Sequence, residues 1–189
     1  MAHAWTADRL GDPTARLLGR VSFNPIVHAD PVGTVLFPLL AIIGNLPIIG
    51  WAKPVPVVIS RLRRGRRDYV LVAAAGPVSN LVLAVVTSLV LAGLHISPLV
   101  LGESNVSAPI AVLLSFAVSL NLLLAVFNML PIPPLDGGNV LGGLLPPKFA
   151  TVLDHVRPYG FLLIYALVLT DGFYYLVVQP SSFLRSWLP

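Results

Sequence analysis

Cysteine is absent from this sequence, and charged residues are scarce. Without a thiol, disulfide bonds and cysteine-dependent catalysis are both excluded. Charged residues make up only 11% of the 189 positions, whereas 56% are hydrophobic. Soluble domains carry about 25% charged residues, so the composition predicts an integral membrane protein. The start of the chain also lacks a basic stretch followed by an apolar one, so no secretory signal peptide is predicted there.

Several common catalytic and ligand-binding patterns are missing as well. The sequence contains no phosphate-binding loop, no glycine-rich dinucleotide loop and no Ser-His-Asp order. The net charge of +4 comes mainly from one loop and reflects membrane topology, so no nucleic-acid partner is expected. No internal repeat is visible, which gives little support to a transporter built from inverted repeats.

Long apolar runs make up most of the chain. Residues 69–94, 108–130 and 159–178 are each long enough to cross the hydrocarbon core, which takes about 20 helical residues. A fourth run, 32–51, is interrupted by Pro38, Gly44, Pro47 and Gly50. Residues 53–59 favour an extended conformation because prolines alternate with β-branched residues. We predict an all-α polytopic membrane protein, one membrane domain with about three full transmembrane helices, a broken or re-entrant segment and a short extended piece.

A basic loop at residues 60–68 orients these segments. Its five arginines are Arg61, Arg63, Arg64, Arg66 and Arg67. Such clusters stay on the cytoplasmic side, and we interpret this one as a solvated loop without a specific partner. The helix at 69–94 then runs outward, 108–130 returns, and Asp136 lies near the cytoplasmic face. A full crossing by 32–51 would place the arginines before it outside, so the charge rule favours a re-entrant segment with both ends near the cytoplasm.

Asp136 follows a proline-rich break at the end of the run 108–130. Three prolines between positions 131 and 134 remove backbone donors, and the two glycines after Asp136 let the backbone approach whatever the carboxylate holds. An acidic residue at membrane depth is a functional-site hypothesis. The simpler interpretation is a solvated aspartate in an interfacial turn. Asn80 and Asn128 place polar amides within two of the predicted spans.

None of the four histidines identifies a site without further information. His3 is a single histidine near the start of the chain, and such residues are seldom ligands. We interpret His28 as a loop-capping residue and His95 as an interfacial residue, and His155 is assigned no role.

Several stretches, taken in order, resemble the compact branch of the site-2 protease family of intramembrane zinc metalloproteases. The matching stretches are His-Ala-Trp at 3–5, Arg-Leu-Gly-Asp-Pro-Thr-Ala at 9–15, Asn-Pro at 24–25, His-Ala-Asp-Pro at 28–31, Gly-Trp-Ala-Lys-Pro-Val-Pro at 50–56, Ala-Gly-Pro-Val-Ser-Asn at 75–80 and Asn-Met-Leu-Pro-Ile-Pro-Pro-Leu-Asp-Gly at 128–137. They extend over nearly the whole chain, and the last is specific. The family cleaves transmembrane substrates within the bilayer.

The resemblance implies zinc as the cofactor and assigns residues to its site. In the family, two histidines of a helical H-E-x-x-H and a distant aspartate hold the zinc, and the glutamate serves as general base. Asp136 matches the carboxylate ligand, and His3 matches the second histidine. Asn128 matches an asparagine that supports the reacting water or the oxyanion.

The resemblance also implies a partner and a location. Asn80 matches a polar position of the substrate cleft, and the stretch that contains Pro54, Val55 and Pro56 is expected to offer an edge to an extended substrate. The expected partners are a transmembrane-helix protein as substrate and the lipid bilayer. The expected location is the plasma membrane of a prokaryote.

The zinc motif is incomplete within this sequence. With His3 as the second histidine, Met1 and Ala2 take the two intervening positions, and the first histidine and the glutamate have no counterpart. We expect Met1 to be an internal methionine or the chain to be a fragment, with a naturally shortened pseudo-protease as the alternative. Residues 1–189 alone are predicted to bind zinc weakly and to lack proteolytic activity. A non-catalytic scaffold that binds transmembrane helices and, less strongly supported, a small transporter stay open as other functions.

Overall fold

A computed structural model describes residues 1–22, 24–45, 53–96 and 107–189. Within these ranges the chain is mainly helical and contains no β-strand, which confirms the all-α prediction. The α-helices are α1 (Ala2–Arg9), α2 (Thr14–Leu17), α3 (Phe37–Ile43), α4 (Arg66–Ile96), α5 (Ser107–Asn128), α6 (Asp136–Leu144), α7 (Pro147–Val156), α8 (Gly160–Leu169) and α9 (Gln179–Ser186).

Three helical segments are long and apolar enough to cross a membrane: Arg66–Leu94, Pro109–Asn128 and Lys148–Leu169. Large apolar side chains on them are open to the surroundings, for example Leu89 at 59% and Phe116 at 64% exposure. Such surfaces are stable only against lipid. The protein is therefore an integral membrane protein, as the composition predicts.

The third span differs from its predicted boundaries. It begins at Lys148 rather than at 159 and ends at Leu169 rather than at 178. The helix stops at Leu169 because Thr170 is extended, with φ −116° and ψ 168°. A π-helical turn, Tyr174–Val178, then leads into α9. The aromatic residues predicted to end the span lie in this later turn.

The chain divides into two compact units. The first comprises Met1–Ala75 and Asn139–Val156, and the second comprises Gly76–Gly138 and Arg157–Pro189. Both α4 and α6 pass from one unit into the other.

The first unit has a small core where α1 meets the start of α4. Ala7, Leu62 and Val72 are buried together, and partly buried residues from the same region pack against them. The small side chain of Ala7 lets α1 approach the first turns of α4 closely. This contact fixes the helix that carries His3.

The broken apolar segment belongs to the first unit. Pro31–Leu36 forms a π-helical turn that continues into α3, which ends at Ile43 before Gly44. The apolar helix Pro31–Ile43 is too short to cross a bilayer, because a crossing needs about 20 helical residues. The break predicted within 32–51 is therefore present. Positions 46–51 lie outside the described residues, so the re-entrant path stays a prediction.

The extended piece predicted at 53–59 contains no regular secondary structure at 53–58. Val58 has extended angles, φ −99° and ψ 100°, and a short 3-10 turn follows at Ile59–Arg61. The chain is thus extended at Val58, while the described part of the molecule gives it no paired strand.

The second unit is built on the packing of α4, α5 and the end of the chain. Ala84, Val118 and Leu122 are buried together, and Leu188 packs against them. The rings of Phe127 and Phe173 lie 6.1 Å apart. These contacts hold the end of α5, where the proline-rich break begins.

Candidate active site

His3 lies on α1 and is half-buried, with a defined partner for its ring. Its Nδ1 is 2.8 Å from the carbonyl oxygen of Val72. A carbonyl can only accept, so Nδ1 carries the proton, and in the neutral ring the lone pair is on Nε2. Histidines that bind metals usually donate their other ring nitrogen to a carbonyl or carboxylate in this way. The ring is therefore in the tautomer that zinc requires at Nε2.

The turn after α1 is closed by Gly11 and Asp12. Gly11 has φ +113°, which favours glycine, and the amides of Gly11 and Asp12 bond to the carbonyls of Asp8 and Ala7 at 3.2 and 2.9 Å. These two bonds satisfy the last carbonyls of α1. The chain then turns away, and the carboxylate of Asp12 points into the unit.

Asp12 is fully buried and connects two segments of the first unit. Its carboxylate accepts from the amide and hydroxyl of Thr14 at the start of α2, and from the amide of Val58 at 2.6 Å. Burial acts to raise the pKa of Asp12, but these hydrogen bonds and the nearby Arg61 guanidinium outweigh it and lower the pKa below its ordinary value. Asp12 thereby fixes one end of the stretch predicted to contact substrate.

The stretch containing Pro54, Val55 and Pro56 is anchored at both ends. The amide of Lys53 donates to the carbonyl of His28 at 2.8 Å, and Val58 donates to Asp12. Between these anchors the two prolines disfavour helical angles in the residues before them, which favours an extended backbone. The backbone of Val55 makes no hydrogen bond to any described residue, so the stretch has an edge with hydrogen-bonding groups to offer.

Asp136 is half-buried at the first position of α6, and the glycines after it explain how it is held. A Cβ on Gly137 would collide with the carbonyls of Met129 and Leu130, and one on Gly138 would collide with the backbone of Pro133. The sequence predicted that these glycines let the backbone approach whatever the carboxylate holds. However, their backbone approaches the preceding loop of the same chain, and it is this contact that positions the carboxylate.

The other end of α6 is held within the first unit. The guanidinium of Arg66 donates to the carbonyl of Gly142 in the last turn of α6 and to that of Leu145 just after the helix. Gly143 faces Val70 so closely that a Cβ would overlap its side chain. Cations favour helix C-termini, so Arg66 stabilises α6 both by charge and by hydrogen bonding. The sequence pattern did not predict this helix, because positions 131–157 read as a return loop.

The two candidate asparagines belong to the second unit. Asn128 is the last residue of α5 and is half-buried, and its amide nitrogen donates to the carbonyl of Leu124 at 2.9 Å. That bond uses one of the two amide hydrogens of Asn128 and holds the side chain against the last turn of α5. Asn80 is half-buried on α4, four residues after Gly76 and three after the buried Pro77, in the part of the helix that belongs to this unit.

The candidates therefore fall into two groups. His3, Pro54, Val55 and Pro56 lie in the first unit, and Asp136, Asn128 and Asn80 lie in the second. Within the described ranges, no three His, Asp or Glu side chains come together as a metal-binding group. An imidazole nitrogen and a carboxylate are donors that zinc takes, and the tautomer of His3 is the correct one. The imidazole of His3 and the carboxylate of Asp136 are therefore both groups that can bind zinc.

Two other histidines have structural partners, in line with the sequence interpretation. His28 Nε2 is 2.9 Å from the carbonyl of Ser22, so this residue closes its loop. His155 Nδ1 is 2.7 Å from the carbonyl of Thr151 one turn earlier.

Asp12 is the residue that the sequence interpretation passed over. An aspartate two positions before a threonine at a helix start is a capping signal, but its bond to Val58 spans 46 positions and has no sequence signal.

Comparison with known proteins supports the resemblance. The pattern of peptidase family M50, the site-2 protease family, matches residues 1–167. The "Putative zinc metalloprotease YwhC" of Bacillus subtilis is 38% identical over 170 residues, which cover 90% of this chain and 74% of that protein.

The relatives named "Putative zinc metalloprotease Rip2" match a smaller share of their own length. The protein of Mycolicibacterium smegmatis is 32% identical over 90% of this chain and 61% of its own. That of Mycobacterium tuberculosis H37Rv is 32% identical over 93% of this chain and 65% of its own. The chain thus spans less than two thirds of these relatives. No solved structure matches the chain. On the extent of the family match, this chain belongs to peptidase family M50, the site-2 protease family.

Proposed function

We propose that this chain forms the membrane part of a zinc metalloprotease that hydrolyses peptide bonds of transmembrane proteins within the bilayer. The family match and the names of the relatives support a metalloprotease of the site-2 type. The observation that carries the proposal is the contact between His3 Nδ1 and the Val72 carbonyl, which prepares Nε2 to bind zinc. The relatives are bacterial, which supports a prokaryotic plasma membrane. The charge rule places Asp136 near its cytoplasmic face in this proposal.

In this proposal, His3 and Asp136 hold the zinc through Nε2 and a carboxylate oxygen. When bound, zinc polarises the substrate carbonyl and lowers the pKa of water to about 7. Asn128 keeps one amide hydrogen for the reacting oxygen, since the other is used by Leu124. The contacts of Gly137 and Gly138 with the preceding loop keep the Asp136 carboxylate in place.

The substrate is proposed to bind as an extended chain beside Pro54, Val55 and Pro56. The peptide groups of a helix are hydrogen-bonded to one another, so the helix must unwind locally before one of its peptide bonds can be attacked. Pairing of its backbone with Val55 offers replacement hydrogen bonds. Asn80 supplies a further amide for the unwound backbone. The anchors at Lys53 and Val58 keep this edge straight without using the groups of Val55.

Zinc content tests the ligand assignment. Protein extended by His-Glu immediately before Met1 is expected to retain zinc through purification. In this protein, H3A and D136A are expected to lower the zinc affinity by about 100-fold or more, because loss of a residue that only hydrogen-bonds to a ligand already lowers metal affinity by 10–100-fold. The matched controls are H155A and D171A, which remove an exposed histidine and an exposed aspartate. The ligand assignment is wrong if D136A retains as much zinc as D171A.

Activity of the isolated residues tests the catalytic assignment. The 189 residues contain no H-E-x-x-H motif. We propose that a polypeptide of these residues alone binds zinc weakly and does not cleave a transmembrane substrate, because it lacks a general base. Extension with upstream codons that encode His-Glu before Met1 is expected to restore cleavage. Extension with His-Gln is the control, which supplies the ligand without the base. Full cleavage by residues 1–189 alone would contradict the assignment.

A non-catalytic scaffold is the second candidate, because the backbone of Val55 makes no hydrogen bond to any described residue and could pair with an extended segment whether or not zinc is bound. A scaffold would bind transmembrane helices beside Val55 without zinc. Crosslinking of a transmembrane peptide to V55C distinguishes the two functions. A scaffold crosslinks equally in D136A and wild type and cleaves in neither, even with the upstream residues added.

A further inference from the structure

The strongest unexplained feature of the first unit is the charge of its basic loop, residues 60–68. We interpreted this loop from the sequence as solvated and without a partner. The structure shows that its backbone is held in place. Leu62 is buried with Ala7 and Val72, and the amide of Arg63 donates to the carbonyl of Leu10 at 3.0 Å. The loop thus presents its side chains from a fixed support.

Three arginines of this loop have no partner among the described residues. Arg63, Arg64 and Arg67 are exposed, and their guanidinium groups make no hydrogen bond or ion pair there. Arg61 and Arg66 differ, because Arg61 donates to Thr14 at 2.8 Å and Arg66 is bound to the end of α6. The charge of the three exposed arginines is available to a ligand.

The one acid of the loop does not neutralise them. Asp68 is only 3% exposed, and its carboxylate accepts from the backbone amide of Arg64 at 2.8 Å. Its charge is used to close the turn before α4. A fixed group of cations with its only acid turned inward is a site for anions, and arginine binds phosphate oxygens in a bidentate manner.

The position of the loop identifies the source of the phosphate. The loop leads directly into the membrane span Arg66–Leu94, so the three guanidinium groups lie beside the start of a crossing. In the same unit, Trp5 is 50% exposed and the guanidinium of Arg9 lies 5.1 Å from its ring centre. Leu17 at the end of α2 and the following Leu18 are also largely exposed. Tryptophan and arginine with exposed leucines are typical of a surface at the headgroup level of a membrane.

We propose that Arg63, Arg64 and Arg67 bind the phosphate headgroups of anionic phospholipids in the leaflet that faces the basic loop. Basic residues next to a membrane helix attract anionic lipid, and the attraction decays within about a Debye length. Bound lipid anchors the first unit, and with it the helix that carries His3, at the membrane surface. The inference does not depend on catalysis.

Lipid selection in nanodiscs tests the proposal. The full chain is placed in an equimolar mixture of phosphatidylglycerol and phosphatidylcholine, released, and analysed by native mass spectrometry for retained lipid. Wild type is expected to enrich phosphatidylglycerol about tenfold, and R63Q/R64Q/R67Q is expected to lose this enrichment. The lysine variant R63K/R64K/R67K keeps the charge without the bidentate geometry and is expected to retain an intermediate enrichment.

The matched control is K148Q/R157Q/R185Q, which removes three cations elsewhere and is expected to keep the wild-type ratio. If R63Q/R64Q/R67Q does not fold, the single variants R63Q, R64Q and R67Q test the proposal instead. Each is expected to lower the phosphatidylglycerol enrichment by about twofold. Equal enrichment in wild type and R63Q/R64Q/R67Q would overturn the proposal. So would abolition of the enrichment by millimolar inorganic phosphate, since the site would then bind free phosphate.

Discussion

His3 shows how one backbone contact prepares a side chain for chemistry. A histidine has two nitrogens, and only the unprotonated one can bind a metal. The Val72 carbonyl selects the tautomer from a helix that is itself fixed by the packing of Ala7 against Leu62 and Val72. The contact also keeps the ring from rotating. The ligand property therefore depends on the core of the first unit as much as on the histidine.

Asp12 is the residue for which stability and charge are most closely linked. Its pKa is depressed, so the ionised form stabilises the fold at pH values above the unfolded pKa near 3.9, and this stability is lost as the pH falls through the folded pKa. D12N is expected to destabilise the protein by about 1–3 kcal/mol near pH 7, because the amide of the half-buried Val58 loses its charged acceptor. The difference from wild type is expected to narrow below about pH 4.

Thermal unfolding in a mild detergent, followed by circular dichroism from roughly pH 7 to pH 3, measures this effect. The control is D171N, which changes an exposed aspartate and is expected to leave the midpoint unchanged. A D12N midpoint that stays below wild type by the same amount at every pH would show that the carboxylate charge contributes nothing.

Helix α6 depends on glycine at some of its positions and not at others. Gly137 and Gly138 lie against the loop at 129–133, and Gly143 lies against Val70, whereas a Cβ on Gly142 would meet nothing within 4 Å. Glycine weakens a helix by about 0.5–1 kcal/mol relative to alanine. This weakness is tolerated where close packing requires it. The sequence alone does not tell which of the four glycines are required, and only their packing in the structure does.

This difference predicts opposite effects for two substitutions in one helix. G138A forces Cβ against the backbone of Pro133 and is expected to destabilise the protein by about 1–3 kcal/mol. G142A adds a methyl group in open space and is expected to stabilise it by about 0.5–1 kcal/mol. Thermal midpoints of the two variants in the same detergent compare them directly. A G138A protein as stable as G142A would contradict the packing described for α6.

Element boundaries were predicted best where composition alone controls them. The spans at 69–94 and 108–130 agree closely with Arg66–Leu94 and Pro109–Asn128, because lipid requires a continuous apolar helix. The third span was placed too late, since apolarity continues past the extended Thr170 that ends the helix. Helices α6 and α7 were missed because their glycines and prolines resemble a loop. In α6, the packing of its glycines and the bonds from Arg66 stabilise the helix.

The topology of the whole chain follows from its charge and can be tested with single cysteines. The chain has no cysteine, so each introduced thiol is unique. The charge rule predicts that S60C in the basic loop and A29C before the broken apolar segment are labelled from the cytoplasmic side, and that S104C is labelled from outside.

Labelling of intact and lysed cells with a membrane-impermeant maleimide provides the measurement. Ala29 and Ser60 are both exposed, so lack of labelling would not result from burial within the protein. If A29C reacts in intact cells while S60C does not, residues 32–51 cross the membrane fully, and the re-entrant prediction is wrong.

The composition, the basic loop and the short motifs were sufficient for the membrane class, the all-α fold and the family. These are local properties, and each depends on residues close together in the chain. The tautomer of His3, the burial of Asp12 against Val58 and the packing of Gly138 on Pro133 are different, because each joins segments that the sequence separates or leaves without a recognisable signal. A hydrogen bond or a steric contact exists only after folding brings its two partners together. The residue types of the site were therefore readable in advance, whereas their orientation and support depended on the folded structure.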